Sequence, residues 1–293
     1  MSNLYKYFKD EGKIRRIHIE QDTNPWNPRT EQDGNVGTMM CWHQRYNLGD
    51  SNKNKYEVPE DFLQDLLRQR VSEKTILNYV RNGKADDIKI KYNRSDYVWE
   101  LWTTYYLFPL EEPKDAKFQL YSKQLELDWL INDVIEALSN KDIWYLLEKH
   151  TNIIALPLYL YDHSGITMST ASFNDCWDSG QVGWIYTDKE NILSQCYKFR
   201  NSKGNLIKIT KRNWKEAAYQ KLKKEVKMYD MYLQGEVYGI VIEEYDSDFE
   251  DFDEIDSCWG FYDDSYDEEE ILLKLAPEMG VTEELYDTIE EVL

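Results

Sequence analysis

Apolar and polar residues alternate through "IRRIHI" at residues 14–19, the two-residue period of a strand with one buried face. The next stretch, "TNPWNPRTEQDGNVG", is dense in Pro, Asn and Gly and reads as an ordered loop. "TMMCWHQRY" at 38–46 has the β-branched and aromatic mix of a second strand. From Pro59 the period becomes helical. Leu63, Leu66 and Leu67 share a face, Glu60 and Asp61 sit at the positive end of the dipole, and Arg68 and Arg70 sit at the negative end. "IKIKYNRSDYVWELWTTYYLF" predicts two strands joined by a turn near residues 93–96. Leu127, Ile131, Val134, Ile135 and Leu138 form the stripe of a further helix.

Apolar runs at 153–161, 165–170 and 180–187, joined by "DHSG" and a segment containing "DCWDSG", predict three consecutive strands in a meander. Trp214, Ala218, Leu222, Val226, Tyr229 and Leu233 recur at helical spacing, and Gly235 supplies the stop. "EVYGIVIEEY" predicts a strand, an acidic loop follows, and "DSCWGFY" reads as the hairpin partner. Short helices are expected at 268–275 and 282–292, the second capped by Thr282. The sum is an α+β fold with a mainly antiparallel sheet and packed helices. Residues 71–140 differ in texture and read as an inserted subdomain. That leaves 1–70 and 141–262 as a discontinuous core, and 263–293 as an acidic C-terminal helical segment.

Composition sharpens this picture in two ways. With 293 residues, 42% of them hydrophobic, the chain has ample material for a core, and its 10 Trp and 23 Tyr are a surplus of the residues that interfaces use. This favours self-association. Charge is the second. Residues 243–293 hold 21 Asp and Glu against one base, Lys274, while residues 1–242 balance at 34 against 34. Within the balanced part, residues 198–227 carry eleven Lys and Arg against two Glu, with Tyr197, Phe199, Trp214 and Tyr219 interleaved. The acidic end repels nucleic acid directly, but it suits a basic partner surface, including one built to hold DNA. Asp248, Glu250, Asp251, Asp253 and Glu254 are the candidate contact residues. No apolar run reaches the ~20 residues that span a bilayer, and the first residues have no secretory h-region. With four scattered cysteines, the expectation is reduced thiols in a cytoplasm, without contact to membrane.

The stretch at 156–186 crowds Asp162, His163, Ser164, Cys176 and Asp178 between strand-like runs. Asp162, His163 and Ser164 are sequence neighbours, whereas the members of a catalytic triad converge from separated segments. Cys176 with His163 or His43 is the better nucleophile pair. Cys41, His43, His163 and Cys176 are of the types that bind zinc, without the short-loop spacing of a zinc knuckle. "DSDFEDFDEID" lacks the register of an EF-hand loop, and "DGNVG" lacks that of a phosphate-binding loop. The expectation is a fold-supporting role for these residues, with no cofactor. The alternative is a small-molecule-binding protein or metal-dependent enzyme centred on His43, His163 and Cys176.

Five blocks taken together resemble a widespread family of phage and mobile-element accessory proteins of unassigned function. They are "NPRTEQDGNVGTMMCWHQRYNLGD", "LPLYLYDHSGITMST", "WDSGQVGWIYTDKE", "EVKMYDMYLQGEVYGIVIE" and "DSCWGFY". Size and acidity also resemble those of the Gabija anti-defence proteins. That resemblance implies a phage-encoded, non-enzymatic inhibitor in the host bacterial cytoplasm. Such a protein assembles around a DNA-targeting nuclease complex and blocks DNA binding or cleavage.

Overall fold

The computed structural model describes residues 4–50, 56, 58–105, 114–122, 127–174, 177–265 and 267–282. The chain begins with β1 (Lys6–Asp10), β2 (Lys13–Gln21), β3 (Thr38–Cys41), α1 (Pro59–Arg70), α2 (Glu73–Arg81), β4 (Ile88–Asn93), β5 (Val98–Tyr105) and β6 (Lys114–Ser122). There follow α3 (Leu127–Ala137), α4 (Asn140–His150), β7 (Ile153–Asp162), β8 (Ile166–Ser169), β9 (Ser179–Asp188) and α5 (Lys189–Gln195). Last come β10 (Lys198–Arg200), β11 (Leu206–Lys208), α6 (Trp214–Gln234), β12 (Val237–Asp246), β13 (Asp251–Tyr262) and α7 (Glu268–Leu275). This is an α+β fold, its sheets antiparallel and its helices packed on them. The helix expected at 282–292 lies outside the described residues after Thr282.

The chain divides into two compact units, the first made of Met1–Gly37, Pro157–Gln181 and Lys221–Leu293, the second of Thr38–Leu156 and Val182–Gln220. This division does not follow the boundaries at 70, 140 and 262 read from texture. The reason is a shared core. Ile76, Val80, Ile88, Leu101 and Val134 bury in one cluster with Leu63 and Leu67 of α1 and Leu146 and Leu147 of α4. Each such side chain contributes about 1.5–3 kcal/mol when fully buried. The starts of α2 and α4 are capped locally: Ser72 accepts from the backbone of Thr75, and Ser139 from that of Asp142.

In the first unit, β1, β2, β12 and β13 form a sheet in that order. One face buries Phe8, Ile17, Ile19, Ile240 and Ile242 against Ile271, Leu272 and Leu275 of α7. The acidic C-terminal segment therefore supplies part of a core, at least through α7. Asp267 caps that helix by accepting from the backbone of Glu269.

Two expectations are corrected. The order of the other four-stranded sheet is β3-β9-β7-β8, so β9 returns to the far edge of β7 and the three strands are no meander. β7 is buried along most of its length and takes a neighbour on each side, whereas β8 has only four residues. Gly183 permits close pairing of β9 with β3, since a Cβ there would lie 2.0 Å from the carbonyl oxygen of Met40. The acidic loop is the second correction. Pairing of β12 with β13 continues to Asp246 opposite Asp251, which places Asp251, Asp253 and Glu254 in a strand. Only Asp248 and Glu250 stay in the turn, where Glu250 has a φ of 54° and Asp246 accepts from the backbone of Asp248.

Candidate functional site

β13 is the outer strand of its sheet and is exposed along most of its length. The cross-strand rows that end on it are specific. Arg16 lies opposite Glu243, which lies opposite Glu254; Arg15 lies opposite Glu244, which lies opposite Asp253. Successive residues point to opposite faces, so one row occupies each side of the sheet. The inner members are ion-paired: Arg16 with Glu243, and both Lys13 and Arg15 with Glu244. Arg16 is further held between the rings of Tyr5 and Phe252, at 4.3 and 4.2 Å from their centroids. The outer members are not so paired. Among the described residues no cation pairs with Asp248, Glu250, Asp251, Asp253 or Glu254. Like charges directly opposite each other oppose pairing, so both rows end in an acid–acid step at the open edge. A cation on that edge would relieve it.

The described members of the expected chemistry set are divided between the two units. His43 follows β3 in the second unit, stacks on Tyr46 at 4.9 Å, and accepts at Nδ1 from the backbone N–H groups of Arg45 and Tyr46. That fixes a turn. Cys41 is buried on β3. His163 belongs to the first unit and is 63% exposed, with Nδ1 at 3.0 Å from Asp178 Oδ2. Its neighbour Ser164 has a φ of 59° in the three-residue β7–β8 turn, so "DHSG" acts as a hairpin connection. Cys176 lies outside the described residues. Among the described residues no three His, Cys, Asp or Glu side chains come together as a metal ion would require. A His163→Ala variant loses one exposed pair, worth about 0–1 kcal/mol. Thermal unfolding and partner binding should both stay near wild type; a folded variant without binding would give His163 a functional role.

Sorting charges by unit changes the picture drawn from the chain. The first unit carries 33 Asp and Glu against 11 Lys and Arg, net −22, and the second 22 against 24, net +2. The basic stretch is split as well. Lys198, Arg200 and Lys208 stand on the β10–β11 hairpin of the second unit, where Lys198 and Lys208 flank the exposed Tyr197 ring. Lys221, Lys223, Lys224 and Lys227 belong to the first unit, and Lys227 pairs with Asp264 at 2.6 Å.

The acidity of the first unit sets a pH dependence. Burial pushes the carboxyls of Glu225, Asp230 and Glu236 above the usual range; backbone N–H groups of Val36 and Met168 pull the first two partly back. A carboxyl raised in the folded state holds its proton there better than in the unfolded chain. Its contribution is therefore complete below the ordinary carboxylate pKa and is lost as pH rises through the folded value. Self-repulsion of a unit at −22 acts in the same direction. Hydrogen bonds from Lys13 and Lys227 lower Glu244 and Asp264, whose contributions are lost at the acid end. Calorimetric melting temperature should thus fall as pH rises from just above the ordinary carboxylate range to neutrality. A melting temperature that climbs steadily over that interval contradicts this account.

No family model, no curated protein and no solved structure matches the chain. The resemblance to phage and mobile-element accessory proteins rests on the quoted blocks, and that to the Gabija anti-defence proteins on size and acidity.

Among the described residues no helix is long and apolar enough to cross a membrane.

Proposed function

We propose that this chain is a non-enzymatic binding protein that occupies the basic, DNA-handling surface of a partner with the β12–β13 hairpin. The observation that carries this reading is the pair of charge rows that end in unpaired Glu254 and Asp253 on an open strand edge. Edge strands often carry charge simply to repel other edges. Here the charge is of one sign over Asp248, Glu250, Asp251, Asp253, Glu254 and Asp256, and the neighbouring bases are consumed by inner carboxylates. A field of that form attracts a cationic surface and repels DNA. With the phage-like blocks, the reading becomes an inhibitor of a bacterial anti-phage defence complex, a Gabija-like nuclease, in the host cytoplasm. Self-associated copies around that complex exclude its DNA.

The test mixes the purified protein with such a nuclease complex. A stable assembly should form, DNA cleavage should stop, and excess duplex DNA should compete with assembly. Cleavage that continues within a saturated assembly, or assembly indifferent to DNA, rules the reading out.

A further inference from the structure

At the far end of β13, within the first unit, a cleft of about 500 Å³ opens between the strand and the loop that follows β2. Trp26, Trp259 and Tyr262 supply its rings, and Asp22, Asn24 and Gln32 its polar groups. The site is built rather than incidental. Tyr238 pairs with Phe261 but Gly239 with Trp259, which leaves Gly260 as an extra residue with a φ of 88°. Such a bulge re-aims the adjoining side chain. The Trp259 ring lies over Gly239, where a Cβ would come within 2.1 Å of it. Tyr262 Oη donates to the carbonyl of Trp26 at 3.1 Å and itself accepts from Gln32 Nε2 at 3.4 Å. The loop backbone is fixed too: Asp22 N–H donates to Val237 O at 2.8 Å, and Asp22 Oδ1 accepts from Asn24 N–H at 3.0 Å. Trp26 is nonetheless 68% exposed and Trp259 45%. Large rings held open to solvent on a fixed backbone are binding elements.

The chemistry of the ligand follows from the charges. No Lys or Arg lines the cleft, and among the described residues no cation pairs with Asp22. Burial raises the Tyr262 hydroxyl above its usual pKa; the carboxylates of Asp22 and Glu31 add to that rise, while Gln32 opposes it. The negative potential therefore reaches the ring. Sugar rings and nucleobases also stack on Trp and donate to carboxylates, but neither brings a positive charge to Asp22, and a nucleotide brings a phosphate that this unit repels. A guanidinium uses everything present. It stacks on indole faces, donates in its plane to a carboxylate, and leaves donors for the amide oxygens of Asn24 and Gln32.

We infer that this cleft receives an arginine side chain presented by a basic partner. The source of the arginine rests on the function proposed above; recognition of the guanidinium by the cleft does not.

The experiment titrates N-acetyl-arginine amide into the full chain and follows the indole N–H resonances of Trp26 and Trp259. The neutral isostere N-acetyl-citrulline amide, methyl glucoside and uridine serve as comparison ligands. Arginine amide should shift both resonances saturably, and citrulline amide should bind about 10-fold more weakly or not at all. Trp259→Ala and Asp22→Asn should each weaken arginine amide about 5- to 10-fold. Trp26→Leu, at an exposed position, should do the same without touching the sheet. Citrulline amide, the glucoside or uridine binding as well as arginine amide overturns the inference, and so does no shift with any ligand. If arginine amide binds but charge reversal on the hairpin leaves partner association unchanged, the cleft stands and the proposed function falls. The reverse pattern discards the cleft and keeps the function.

Discussion

An Arg29→Met variant should unfold about 3–5 kcal/mol more easily than the wild-type chain. The Arg29 side chain is 1% exposed, and Nη1 donates to Glu225 Oε2 at 2.8 Å. Nη2 donates to the carbonyl of Gly37 at 2.7 Å. Glu225 also accepts from the backbone N–H groups of Val36 and Gly37, at 2.7 and 3.1 Å. One ion pair thus joins helix α6 to the end of the loop that begins at Asp22. Methionine preserves most of the volume but leaves a buried carboxylate with two N–H donors and no counter-charge. Urea unfolding of Arg29→Met, Glu225→Leu and the double variant separates the charge effect from packing. The double variant should be less destabilised than the sum of the singles by about 1–3 kcal/mol. A loss under about 1 kcal/mol for Arg29→Met, or strict additivity, would show that this pair does not hold the loop.

The second large effect is kinetic. Replacing Asp251, Asp253 and Glu254 by Lys together should slow partner association about 10- to 100-fold at low salt. The deficit should shrink as salt rises from about 0.05 M to about 0.3 M, where the Debye length falls below 10 Å. Stability gives an internal control. Opposite Glu243 and Glu244, the new lysines turn two acid–acid steps into acid–base pairs, worth about 0.2–1 kcal/mol each. The variant should therefore fold at least as well as the wild type while binding worse. An unchanged association rate in this well-folded variant would reduce the hairpin to a solubility device.

Elements with strong local signals were legible in the chain. α1 announces itself by Pro59 and its Leu stripe, α6 by its six apolar positions and Gly235, and the β4–β5 hairpin by the turn near Asn93. Pairing partners were less so. β7 is apolar at nearly every position, and such a strand does not reveal which neighbours it takes, so β9 was expected beside β8. The acidic segment reads as loop because carboxylates disfavour strands, yet Phe252, Ile255 and Trp259 punctuate it and carry β13. The cleft joins Asp22 and Trp26 to Trp259 and Tyr262, more than 230 residues away, and the Arg29–Glu225 pair is 196 residues apart. No local pattern encodes such distances. The one hint was a Trp in a Pro- and Asn-rich loop, and a Trp followed by Gly in the last strand.

The two bulges of β13 bear on how the protein behaves when crowded. Extra residues at Ile255 and Gly260 break the strand's pairing register into short runs. A second copy laid edge to edge meets that interruption twice, once from each strand, and cannot extend the ladder over the full length. Fibril growth needs an uninterrupted, repeatable edge, and this one is neither. A short foreign segment needs only a single run. The same irregularity that frustrates endless stacking of like on like therefore leaves room for one unlike guest.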